Sequence, residues 1–131
     1  MTSQTGGPRE RLRYSQRLHD PRDFQRVYAA QKSIHAPNVV VFLCPNEMKA
    51  ARLGVSVGTK HGNAVRRNRI KRVFRAAFRK MQRVLPGGFD YVFVPRKGVA
   101  EYSTASVCQA LERILADTKW KRLTADAGSS K

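Results

Sequence analysis

Residues 60–85 constrain this chain more than any other stretch. On a helix, at about 100° per residue, Ile70, Val73, Phe74, Ala77, Phe78, Met81, Val84 and Leu85 fall on one contiguous apolar stripe. Such a stripe must be covered, so the rest of the chain has to supply a layer that packs on it. Opposite the stripe lie Asn68, Arg72, Arg75, Arg79 and Arg83; Arg69, Lys71 and Lys80 flank it, and Arg66 and Arg67 occupy the first turn. Gly62-Asn63 supplies a turn and a cap, which predicts a helix over residues 64–85, about 33 Å long. No Asp or Glu occurs from Met48 to Phe89. An ordinary solvated helix face mixes signs, because Glu and Lys four apart support each other while like charges repel. Here Lys71–Arg75, Arg75–Arg79 and Arg79–Arg83 are all like-charge pairs. A helix that carries this repulsion without acidic relief is built to meet an external polyanion. Arginine suits that role, since its planar fork grips a phosphate through two bonds and its face stacks on bases. The free amides at the helix start add to the attraction beside Lys60, Asn63 and Arg66. The competing readings are a merely soluble amphipathic helix and a helix lying on an anionic membrane. The second is the weaker, because the stripe is needed inside the fold.

The covering layer is legible on either side. Asp20-Pro21 starts a short helix ending near Gln31, with Phe24, Val27 and Tyr28 on one face. Residues 39–44 form a β-branched run closed by Pro45-Asn46, and Leu53, Val55 and Val57 alternate with small or polar residues. These two strands are expected to pair through a turn at residues 45–50, with a further short strand at residues 32–36. Tyr91 to Val94 reads as a strand set between Pro86-Gly87-Gly88 and Pro95. Ser103 caps a last helix whose stripe is Val107, Ala110, Leu111, Ile114 and Leu115. The resulting class is α+β, an αβββαβα sandwich with a small mixed sheet. Residues 1–9 and 123–131 have little to bury and read as flexible tails around one domain, residues 10–122.

The 26 Lys and Arg against 9 Asp and Glu give a net charge of +17 and make a polyanion the expected partner. The longest wholly apolar run, residues 39–44, is far short of the roughly 20 residues that span a bilayer, and the N-terminus lacks the apolar stretch of a secretory signal. Cys44 and Cys108 form no framework and suit a reducing compartment, so the expected location is cytoplasmic. Protein-catalysed phosphodiester hydrolysis usually needs carboxylates around a metal, or a His pair. Only Asp20 and Asp23 are close in sequence, and helix capping accounts for them; His19, His35 and His61 have no ligand spacing. His61 beside the basic helix suits a phosphate or base contact. No catalytic residue and no metal ligand is predicted. Phe24 and Tyr28, one turn apart, serve equally as core anchors or as a stacking platform for unpaired nucleotides.

The segment Lys60-His61-Gly62-Asn63-Ala64-Val65-Arg66-Arg67-Asn68-Arg69-Ile70-Lys71-Arg72, extended by Arg75, closely resembles the signature of the protein subunit of bacterial ribonuclease P. Asp23-Phe24-Gln25-Arg26-Val27-Tyr28 is similar to that family's first helix, Leu53-Gly54-Val55-Ser56-Val57 to the strand before the signature, and Val94-Pro95-Arg96-Lys97-Gly98 to the segment after the last strand. The resemblance implies a sheet carrying helices with a left-handed βαβ crossover, opposite to the general rule. It implies a protein that supports a catalytic RNA subunit, which removes the 5′ leader of precursor tRNA using magnesium. By that likeness Arg67, Asn68, Arg69, Lys71, Arg72 and Arg75 face the catalytic RNA, with Lys60, Asn63 and Arg66 close by. Phe24 and Tyr28 line a leader cleft, and Arg96 reaches its edge. Tyr28 stands where the family often has Phe. The alternative is a ribosomal or RNA-chaperone binding module with no part in cleavage. A DNA-binding regulator is disfavoured because no helix precedes the basic one at helix-turn-helix spacing. A stand-alone nuclease is disfavoured by the missing carboxylates.

Overall fold

Asp20 does start a helix. In the computed structural model, which describes residues 14–96 and 101–129, its carboxylate accepts the Arg22 amide at 2.9 Å, and Pro21 takes the first helical position. Helix α1 (Pro21–Ala29) ends before Gln31, whose φ of 56° breaks the helical run. There follow β1 (Ser33–His35), β2 (Val39–Pro45), β3 (Arg52–Val55), α2 (Ala64–Met81), β4 (Phe89–Pro95), α3 (Thr104–Ala116) and α4 (Thr118–Ser129). The order is the expected αβββαβα with one helix added. Residues 1–9, read as a tail, lie outside the described residues.

The sheet order is β1-β2-β4-β3, which corrects the expected pairing of the second and third strands. β4 lies between them, antiparallel to β2 (Val41 opposite Phe93) and parallel to β3 (Leu53 opposite Tyr91). The cause is burial. β4 is the strand with apolar residues on both faces, and six of its seven positions are buried, so it belongs at the centre. The loop after β2 is tied to the start of β4 instead of closing a hairpin: Asn46 N–H donates to the Gly88 carbonyl and Gly88 N–H to that of Ala50. The outer edge of β3 is covered by the segment before α1, where the Leu18 amide donates to the Leu53 carbonyl at 2.9 Å.

The large core fills the space between one sheet face and α2, α3 and α4. Val39, Val41, Leu43, Leu53, Tyr91 and Phe93 meet Phe74, Phe78, Val107, Leu111 and Ile114 there, all buried. The apolar stripe of α2 therefore does what its spacing predicts, with two differences. The helix ends at Met81, and the amides of Gln82, Val84 and Leu85 bond to the carbonyls of Arg79 and Met81 in a last loose turn before Pro86. Leu85 stays buried, but Val84 is 58% exposed. The expected tail from residue 123 is helical as far as Ser129, and Leu123 packs on the core. A single anchor explains this: buried Trp120 stacks on Tyr91 with ring centroids 5.8 Å apart. No helix among the described residues is long and apolar enough to cross a membrane.

Candidate nucleic-acid interface

The opposite sheet face carries a smaller cluster. Leu18, Val27 and Val92 are buried there, with half-buried Phe24, Tyr28, Phe42, Cys44 and Val94 around them. Short α1 lies on β2 and β4 and leaves that face partly open, which is why Val40, Phe42 and Cys44 are half-buried while their neighbours Val39, Val41 and Leu43 are sealed on the other side. The result is an apolar cleft with α1 as its wall and the β2–β4 surface as its floor. Phe24 and Tyr28 both sit in it, half-buried, so each combines anchoring with an accessible ring. Tyr28 meets Phe42 edge-on at 4.9 Å. Phe24 rests on Gly54, where an added Cβ would come within 2.6 Å of the ring, so only glycine lets the helix approach so closely. Phe42 is a cleft residue missed by the sequence reading. The run from Val39 to Cys44 is apolar at every position, so no alternation in the sequence marks Phe42 out.

Four charged side chains hold that wall to the sheet, and the sequence did not reveal them as a group. The Asp90 carboxylate, fully buried, accepts Arg52 Nε at 2.8 Å, Arg52 Nη2 at 2.7 Å, Asn46 Nδ2 at 2.9 Å and Arg26 Nη2. Arg26 Nη1 also donates to the Pro45 carbonyl, and Asp23 lies 3.6 Å from Arg26. Burial alone pushes the Asp90 carboxyl up, but the hydrogen bonds from Arg52 and Asn46 and the nearby Arg52 charge outweigh it and hold the group below its ordinary range.

The second surface is α2. Asn63 Oδ1 caps it by accepting the Arg66 amide at 3.0 Å. Gly62, at φ 120°, turns the chain into the helix. Lys60, Asn63, Asn68, Arg69 and Arg72 are exposed, while Arg66, Arg67, Lys71 and Arg75 are half-buried. Arg67 is partly committed to its own loop, donating from Nε to the Gly62 carbonyl at 3.1 Å. The ion pairs of Asp20, Asp23 and Asp90 go to Arg22, Arg26 and Arg52, and among the described residues none joins Arg69, Lys71, Arg72 or Arg75 to an acid. His61, expected to meet a phosphate or base, instead sits 3.2 Å from the Pro95 carbonyl and beside the Tyr102 ring, and so braces the loop against β4. Arg96 is exposed at the end of β4 beyond Val94, and its Nη1 donates to the Ala36 carbonyl at 3.2 Å. Lys97 and Gly98 lie outside the described residues. No group of three or more His, Cys, Asp or Glu among the described residues could hold a metal ion.

The capped cationic helix lies on one side of the sheet and the aromatic cleft on the other. The family profile of ribonuclease P matches residues 12–119. The chain belongs to the ribonuclease P protein family. The ribonuclease P protein component of Thermotoga maritima is 41% identical over 86 residues, 66% of this chain and 74% of that protein. That of Nitrosococcus oceani is 38% identical over 98 residues, covering 74% and 82%. Among solved structures, the RNase P protein of Staphylococcus aureus superposes with a TM-score of 0.68 at 34% identity, covering 77% of this chain and 93% of that one. The Thermotoga maritima RNase P protein gives 0.66 at 37% identity, covering 82% and 96%. As a ribonuclease P protein component, the chain is a subunit of a tRNA-processing endoribonuclease and a partner of the ribonuclease P RNA.

Proposed function

We propose that the α2 face binds the catalytic RNA of ribonuclease P and that the aromatic cleft receives the 5′ leader of precursor tRNA. One observation carries the first part: among the described residues Arg69, Lys71, Arg72 and Arg75 have no acidic partner, on a helix whose own first turn is already capped and whose apolar side is already spent on the core. Arg67, Asn68, Lys60, Asn63 and Arg66 extend that face around the helix start. The second part is supported by Phe24, Tyr28 and Phe42, whose half-buried rings offer π-faces to unpaired bases while α1 holds them in place. Arg96, just past the end of β4, supplies a cation at the cleft's far end. Bond cleavage then belongs to the RNA and to magnesium bound there, and the protein supplies binding and orientation. Two free, half-buried thiols suit a cytoplasmic particle.

The test combines this protein with the catalytic RNA and precursor tRNA at low magnesium. Leader removal only when both subunits are present is the expected result. Cleavage by the protein alone would overturn it, and so would cleavage by the RNA at a rate indifferent to the protein.

A further inference from the structure

Strand β1 widens the cleft floor on the side of β2 away from β4. Its middle residue, Ile34, is buried in the large core, opposite Val41. Neighbouring side chains of a strand point to opposite faces, so Ser33 and His35 stand on the cleft face. The register sets Ser33 directly across from Phe42 and His35 across from Val40. Opposed residues of such a pair have Cβ atoms about 4.5 to 5.5 Å apart, which makes Ser33 a neighbour of the Phe42 ring. Tyr28 meets the same ring from α1, edge-on at 4.9 Å. Phe42 therefore has a hydroxyl-bearing neighbour on α1 and another on β1, with the His35 imidazole two residues further along that strand. These polar groups are unused. Tyr91 and Tyr102 donate their hydroxyls to the carbonyls of Pro86 and Arg96, as buried tyrosines usually do. Among the described residues, by contrast, no hydrogen bond reaches the side chain of Tyr28, Ser33 or His35. Nor are they shut from water: the sealed, unpartnered side-chain atoms among the described residues are Arg17 Nε and Asn38 Oδ1, and His35 is exposed. Packing in the apolar cluster asks for a ring at position 28, not for a hydroxyl.

The chemistry here differs from that of α2. A phosphate oxygen only accepts and is best met by the arginines and lysines that α2 supplies. A hydroxyl or a neutral imidazole can both donate and accept. The edge of an unpaired base carries donors and acceptors side by side, within reach of such groups once its face is stacked on an aromatic ring. We infer that Ser33 and His35, with the Tyr28 hydroxyl, read the edge of one unpaired leader base stacked on Phe42. The inference rests on the reading of the cleft as the leader site, and adds that this site selects among bases.

The experiment uses the holoenzyme reassembled from the full chain and the catalytic RNA. Its affinity is measured for precursor tRNAs in which each leader position carries each of the four bases or no base. With the unmodified protein, one base should be favoured at a single leader position. Ser33→Ala, His35→Ala and Tyr28→Phe should each lower affinity for the favoured leader by about 3- to 10-fold, the share of one hydrogen bond. Affinity for the leader lacking a base at that position should stay the same, so the preference flattens. The ring survives in Tyr28→Phe and His35 is exposed, so both variants keep the fold and their melting temperatures should match that of the unmodified protein. Phe42→Leu removes the platform and should weaken every leader that has a base at that position. An equal loss for favoured and abasic leaders would assign these side chains to sugar or phosphate and overturn the inference. So would equal affinity for all bases at every position, or a preference that all three polar variants leave intact. If Phe24→Ala and Phe42→Leu leave affinity for leader-bearing RNA unchanged, the cleft does not hold the leader and both readings fall. If those two lower it while the polar variants change nothing, only the base-reading inference falls.

Discussion

Replacing Asp90 by Asn removes a buried charge that ties α1 to the sheet. The carboxylate takes four hydrogen bonds, from Arg26, Asn46 and twice from Arg52, at zero exposure. An amide offers one acceptor oxygen and turns an NH₂ group toward donors, so both arginines lose their counter-charge. Removing one member of a fully buried ion pair costs about 3 to 5 kcal/mol. The Arg26 and Arg52 side chains are 39% and 21% exposed, so water recovers part of the loss. About 2 to 4 kcal/mol is the expected deficit after that discount. At about 4 °C per kcal/mol for a chain of this size, the melting temperature falls by about 8 to 16 °C. Urea titration should show a lower midpoint at an unchanged slope, the mark of lost stability and not of a changed unfolded state. The deficit also has a pH signature. Because the folded-state carboxyl lies below its ordinary value, its stabilisation is full above the unfolded value of about 3.9 and disappears as pH falls through the folded one. Unmodified protein and variant should therefore differ fully near neutrality and converge in acid. A deficit below about 0.5 kcal/mol at neutral pH, the range of an ordinary surface change, or one that stays constant down to strong acid, would refute the account of Asp90 as the clamp.

Other consequences are as direct. Arg69→Ala with Arg72→Ala should weaken binding of the catalytic RNA and lower the log–log salt slope by about 1.4 to 1.8, with little change in melting temperature, because both side chains are exposed. An unchanged slope would assign these arginines another task. Phe24→Ala should impair binding of leader-bearing RNA more than of mature tRNA; an equal loss for both, with a large fall in stability, would make the ring core only. Gly54→Ala pushes a methyl against the Phe24 ring and should reproduce the same leader selectivity more weakly, read in the same binding assay. Trp120→Ala should cost about 3 to 5 kcal/mol in urea unfolding, since the ring is 3% exposed and stacked on Tyr91; a cost under 1 kcal/mol would mean that α4 does not seal the core.

Helix α2 was almost wholly legible from the chain alone: its cap at Asn63, its stripe from Ile70 to Met81 and its unrelieved cations all follow from spacings of three and four residues, which one helical turn brings together. The start at Asp20-Pro21, the Ser103 cap and the strands were legible for the same reason, since each is a local pattern. What spacing could not supply was the company these elements keep. The position of β4 between β2 and β3 depends on which surfaces bury most area together, a comparison among segments some forty residues apart. Once that order is set, Asp90 meets Arg26 and Arg52, and Phe42 joins Phe24 and Tyr28 in a cleft. Each of those groupings joins residues that no local periodicity relates. The cationic face of α2 is therefore written in the chain's short-range pattern, whereas the cleft and its clamp exist only because long-range packing brings distant strands side by side.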